Sequence, residues 1–244
     1  MDATRAWIPY CGAAPGPEAW LGRWNLDPVL LLPLALAALL LWWPTAQRRT
    51  ALRWAWGLAV LLYVSPLCAL SSTFFTVRVV HHLALVLTIA PLLVRGLQAP
   101  MRRVPAPLWL TTALSTAVFW GWHAPAPYAA ALSSDALYAV MQLTLLASAM
   151  AFWLAVRRAG PAAAMAAILA ATVLMGLLGA LITFAAGPLY EPHFAATLAW
   201  GIAPLADQQL AGVVMWAPGS LGYLAAAVWI GARWLRAAPA SPAA

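Results

Sequence analysis

This chain of 244 residues contains no lysine, and only six acids accompany its thirteen arginines. Charged residues make up 8% of it. A soluble domain carries roughly 25%, so a water-facing globule is excluded before any motif is read. Cysteine occurs twice and histidine four times, with no CxxC, no HxxxH and no HExxH among them. No spacing diagnostic of a metal centre is therefore present. No nucleophile stands in the setting of a serine or cysteine triad, and the glycines form no phosphate-cradling loop, so the chain reads as non-catalytic. In a soluble protein the formal charge of +7 would suggest a nucleic-acid partner. Without a basic tail or a patch of interleaved arginines and aromatics, that partner is excluded too.

What is present is apolar length. Hydrophobic residues are 65% of the chain, and seven apolar stretches run at 28–45, 54–72, 80–97, 108–122, 137–156, 162–186 and 209–232. Each is close to the ~20 residues a helix needs to cross hydrocarbon. Ten arginines lie on or beside alternate loops: Arg48, Arg49, Arg53, Arg95, Arg102, Arg103, Arg157, Arg158, Arg233 and Arg236. Every acid, every histidine and both cysteines, Cys11 and Cys68, fall on the other side. The positive-inside rule makes the arginine side cytoplasmic. Backbone in lipid must satisfy its own hydrogen bonds. The expected fold is thus all-α: a polytopic membrane protein, a seven-transmembrane helix bundle with the N-terminus outside and the C-terminus cytoplasmic.

Residues 1–27 read as an exposed or interfacial extracytoplasmic arm, lacking the apolar core of a signal peptide. Residues 28–236 read as the membrane domain and 237–244 as a disordered tail. Small residues, most of all around Gly176, Gly179 and Ala180, favour close helix approach; a homo-oligomer is left open. Pro33, Pro66, Pro91 and Pro218 interrupt spans. Trp42, Trp43, Trp54, Trp109, Trp153 and Trp234 stand near span ends, as interfacial anchors do.

Four segments bring polar residues to the outer side. They are Arg78 to His82, Trp120 to Tyr128, Gly187 to His193, and Asp207-Gln208-Gln209 entering the last span. Arg78 and His82 share a helix face, while His81 is turned from His82 by about 100°, so only one of the two histidines points squarely inward. Ionisable residues at this depth mark function. Imidazole, thiolate and thioether donors suit Cu(I), which makes His82, His123, Met215, Met141 and Cys68 candidate copper ligands. A bis-histidine haem between His82 and His123 is a weaker option. Cys68 reads first as a small buried hydrophobe, with a metal thiolate, a thiol shuttle or a disulfide to Cys11 as alternatives. Asp207, Gln208 and Gln209 need partners in hydrocarbon. The expectation is that they bond to the outer ends of neighbouring helices, His123 or His82 among them. Arg78, His81, Tyr190 and His193 complete the expected polar network.

Taken in order, these segments resemble the CtaG family of cytochrome c oxidase assembly factors, the one associated with caa-type oxidases. The resemblance covers roughly residues 24–236. It rests on Trp24-Asn25-Leu26-Asp27-Pro28, His82-Leu83, Ala90-Pro91-Leu92-Leu93, Trp122-His123-Ala124-Pro125 and Phe152-Trp153. Its most specific part is Pro188-Leu189-Tyr190 followed by Asp207-Gln208-Gln209-Leu210-Ala211-Gly212 and Met215-Trp216. The resemblance implies a protein of the bacterial inner membrane, its functional face periplasmic, with cytochrome c oxidase subunits and the lipid bilayer as partners. The implied role is delivery or insertion of copper, or else metal-free docking on a haem–copper oxidase. This chain departs from the family at two places. Arg78 stands where the third span usually begins a histidine pair, and Tyr138, Met141 and Gln142 stand where the fifth usually carries histidine, glutamate and histidine.

Overall fold

Long runs of leucine, alanine and valine leave the backbone no stable alternative to helix in an apolar medium. The computed structural model describes residues 7, 9–42, 50–97, 101 and 103–237, and among these there is no strand. Trp43, Arg48, Arg49, Arg102 and the tail from 238 lie outside the described residues. The helices are α1 (Pro28–Trp42), α2 (Thr50–Tyr63), α3 (Pro66–Thr73), α4 (Phe75–Gly96) and α5 (Leu108–His123), followed by α6 (Pro125–Ala131), α7 (Asp135–Arg158), α8 (Pro161–Thr183) and α9 (Pro204–Ala237). Four of them, α4, α7, α8 and α9, are long and apolar enough to cross a membrane. The pair α2 and α3, bent by 52°, makes a fifth when counted as one span, and α1 is a shorter apolar helix. Ala237, expected in a disordered tail, closes α9.

The prolines act as local physics requires. Pro66 ends the run of α2 and opens α3 as its first residue, with Ser65 Oγ accepting the Leu67 amide at 3.3 Å. Pro91 lies inside α4, where it has no N–H to give. The turn before it, Leu85–Ile89, widens to a π-helix in which the Ala90 amide donates to Leu85 O, five residues back. The next carbonyl, Val86 O, would meet Pro91. It is satisfied instead by the indole of Trp153, which donates to it at 2.8 Å. Trp153 is therefore buried in the core and is no interfacial anchor. Trp42, Trp54, Trp109 and Trp234 are exposed, as anchors are.

The bundle is apolar outside and encloses a polar cluster within an otherwise apolar core. Leu32, Leu39, Val29, Val173, Leu221 and Val228 are exposed, while Arg78, His81, His82, His123, His193, Asp207 and Gln208 are buried. A soluble protein inverts that distribution. α8 and α9 make the most extensive helix contact. Its centre is Gly179 against Gly212, where a Cβ on Gly212 would lie 2.5 Å from Gly179 O. At one end of the bundle Gly96 meets Leu52, and Arg158 donates to Val104 O and Met101 O, so the arginine-bearing termini gather there. The other end, where α4 and α9 begin and α5 finishes, holds the polar cluster.

Candidate functional site

The cluster begins at the first turn of α4. A helix start leaves amides without partners. Phe74, in the N-cap position, supplies no side-chain acceptor. Asp207 reaches in from α9 instead, its Oδ2 accepting the Phe75 amide at 2.7 Å and its Oδ1 the Thr76 amide at 3.2 Å. Thr76 Oγ1 returns a bond to Asp207 O at 2.8 Å. Gln208 ties α9 to the turn after α8: its Oε1 accepts the Leu189 amide at 2.6 Å, and its Nε2 donates to Ile182 O and Gly187 O. Gln209 is exposed. Asp207 and Gln208 therefore do bond to neighbouring elements, but to backbone groups. Neither takes His82 or His123 as partner, because unpaired amides and carbonyls at helix ends are the greater liability.

The histidines form a second layer. His81 and His82 are both buried, against the expectation that only one would point inward, because Tyr63 covers the His81 side in a T-shaped contact with centroids 4.6 Å apart. His123 Nδ1 lies 2.7 Å from Phe119 O. A carbonyl only accepts, so that nitrogen carries the proton, and in a neutral ring Nε2 offers its lone pair. His82 Nδ1, 3.3 Å away, then donates to it. This leaves His82 Nε2 as acceptor for Gln142 Nε2 at 3.3 Å, while Gln142 Oε1 accepts from Tyr63 OH at 2.8 Å. The result is one directed chain, Tyr63 to Gln142 to His82 to His123 to Phe119 O, spanning α2, α7, α4 and α5.

A third group closes the outer side. His193 Nδ1 donates to Thr73 O at 3.1 Å, so the Tyr128 hydroxyl donates to His193 Nε2 at 2.6 Å. Tyr190 donates to His123 O at 2.8 Å and stacks on Phe75 at 3.6 Å. Burial, with the Arg78 charge adding to it, pushes His193 down to about 3. Burial also raises the Tyr128 and Tyr190 phenols well above their usual range. Arg78 is fully buried, its Nη1 donating to Tyr138 OH at 2.8 Å and its guanidinium 5.1 Å from the Tyr138 ring centroid.

The N-terminal arm, expected to be exposed or interfacial, leaves most of Ala13 to Leu26 exposed and is tied to this end at a few points. Cys11 and Cys68 form a disulfide, and Tyr10 stacks on Tyr138 with centroids 5.4 Å apart. Tyr10 OH donates to Asp27 at 2.7 Å, and that hydrogen bond holds the Asp27 carboxyl below its usual range. The Trp200 indole donates to Pro15 O at 2.9 Å. The disulfide corrects Cys68 as a candidate copper ligand, since a disulfide sulfur is no thiolate.

These residues suit a copper centre poorly. Of the five candidate ligands, Met141 and Met215 are fully buried within the apolar core, and Cys68 is oxidised. His82 and His123 face each other, yet the acceptor nitrogen of each already takes a hydrogen bond. Among the described residues no group of three or more His, Cys, Asp or Glu side chains is placed to hold a metal ion. A buried guanidinium four residues from His82 opposes any added cation. Sequence reasoning missed Tyr63, Tyr128 and Trp153 as members of the polar framework. Tyr128 sits in the string after His123 and was within reach. Tyr63 carried no signal, and Trp153 only its place beside Phe152.

Comparison with curated proteins and with solved structures gave no match. A family model described as cytochrome c oxidase caa3 assembly factor (Caa3_CtaG) matches residues 36–237. That segment contains α4 to α9 and the whole polar cluster, while Trp24 to Pro28 lie before it. With well over half of the chain matched, this protein belongs to the Caa3_CtaG family of cytochrome c oxidase caa3 assembly factors.

Proposed function

We propose that this chain assists assembly of cytochrome c oxidase as a metal-free docking protein, presenting its polar end on the extracytoplasmic side of a bacterial plasma membrane. One observation carries the reading: His82, His123, His193, Asp207 and Gln208 are engaged with one another, with neighbouring side chains and with helix ends, leaving a closed hydrogen-bond network instead of an open set of metal donors. Seven helical segments cross the bilayer in this reading: α1, the bent α2–α3 pair, α4, α5, α7, α8 and α9. The N-terminus is then outside, with the arginine-bearing termini in the cytoplasm. A reporter fused after Arg236 is expected to behave as cytoplasmic, and one inserted between Ala124 and Asp135 as external.

Copper delivery is the second reading, and the facing nitrogens of His82 and His123, 3.3 Å apart, favour it. Native purification in detergent, with co-purifying subunits and copper measured together, separates the two. Oxidase subunits with far less than one copper per chain support docking. One equivalent of Cu(I) retained by wild type and lost in His82→Ala and His123→Ala overturns it in favour of delivery. Absence of oxidase subunits overturns both.

A further inference from the structure

Arg78 is the largest fully buried side chain among the described residues, and it is incompletely partnered. Its guanidinium has five N–H donors. Nη1 is used on Tyr138, while Nε and Nη2 have no hydrogen-bond partner. One turn further along α4, neither ring nitrogen of His81 has one either. Asp207, the acid of the cluster, uses both carboxylate oxygens on the Phe75 and Thr76 amides. The Tyr63 hydroxyl gives its proton to Gln142 and the Tyr128 hydroxyl gives its own to His193. Tyr128 also lies within electrostatic reach of Arg78, but a phenol oxygen there is a neutral acceptor and no counter-ion. Among the described residues, this part of the bundle therefore holds donors without a hydrogen-bond partner and a full positive charge with no carboxylate paired to it. A buried charge left uncompensated costs more than a marginally stable fold can carry.

We propose that Arg78 and His81 form a buried site for one small monovalent anion of halide size, which accepts from Arg78 Nε and Nη2 and from the His81 ring N–H. The charge count selects the valence: one negative charge neutralises the guanidinium, whereas a dianion would leave a net charge in the same low dielectric. The surroundings select the type. Tyr63 packs edge-to-face on His81, and the Tyr138 ring lies against the guanidinium, so ring edges and faces border the two side chains and the acceptors beside Arg78 are neutral phenol oxygens. A weakly hydrated anion loses least on entering such walls, and the positive edges of aromatic rings favour it. On the N-terminal side Tyr138, which accepts from Arg78, stacks on Tyr10 and its hydroxyl lies 3.8 Å from Cys11 Sγ.

The test uses the full chain purified in detergent in sodium gluconate, with chloride substituted at constant ionic strength. Above the dissociation constant, Tm is expected to rise by about 3–6 °C for each tenfold increase in chloride. Bromide should replace chloride, sulfate should not, and Arg78→Gln should lose the response. Crystals of wild type grown in bromide should show an anomalous peak within hydrogen-bond distance of Arg78 Nε, which requires no variant to fold. A Tm that does not distinguish chloride from gluconate, a response that survives Arg78→Gln, or bromide crystals without that peak would overturn the proposal.

Discussion

Replacing Asp207 tests the link between α9 and the start of α4 most directly. The carboxylate accepts two amides, Phe75 N at 2.7 Å and Thr76 N at 3.2 Å, and Asp207 is only 4% exposed. Hydrogen bonds to a charged group contribute about 1.5–3 kcal/mol each, and an orphaned buried amide adds its own desolvation cost. Asp207→Ala removes both acceptors and leaves the Phe75 amide in the apolar interior, so a loss of about 3 kcal/mol or more is expected. Asp207→Asn keeps one carbonyl oxygen for Phe75 but turns an NH₂ toward the Thr76 amide, and about half that loss is expected. In a chain of this length 1 kcal/mol moves Tm by about 2–4 °C, so Asp207→Ala should unfold at least about 6 °C early in a detergent thermal scan. Equal stability of wild type and Asp207→Ala, or an Asn variant weaker than the Ala variant, would refute the capping role.

Gly212→Ala should destabilise by about 1–3 kcal/mol, because its Cβ would meet Gly179 O at 2.5 Å and the Thr183 amide nitrogen at 2.7 Å. Gly57→Ala, with nothing within 4 Å, is the matched control and should be neutral or slightly stabilising in the same scan. His193 should make stability depend on pH. Its folded value of about 3 lies below the ordinary 6.5, so between those limits the unfolded chain binds the extra proton and stability falls as pH falls. The slope from this one group is about 1.4 kcal/mol per pH unit, and His193→Gln should flatten it in unfolding curves measured from pH 7 to 4. Substituting both Cys11 and Cys68 by serine opens a link across 57 residues and should cost about 2–4 kcal/mol, read by denaturant titration, with no change in free-thiol content on native wild type.

Several features of this protein were decided by the sequence alone. The apolar runs determine where helices form, since an unbroken apolar run of this length can satisfy its own backbone in lipid only as a helix, and the helices start within a few residues of the expected spans except where capping and buried contacts extend α4 back to Phe75 and α9 back to Pro204. The Asp207-Gln208 string and Pro188-Leu189-Tyr190 were legible as a polar region in need of partners, because polar residues in an apolar chain stand out by contrast. Tertiary structure decided which group each of them meets. Asp207 bonds to amides 131 and 132 residues away, Tyr63 joins the histidines through Gln142, and Trp153 takes the carbonyl that Pro91 leaves free. It also decided that Cys68 pairs with Cys11 and that both His81 and His82 are inside. Helical periodicity specifies a direction around one axis. Which side chain completes a hydrogen bond depends on where several axes lie relative to one another, and that is a property of the packed bundle.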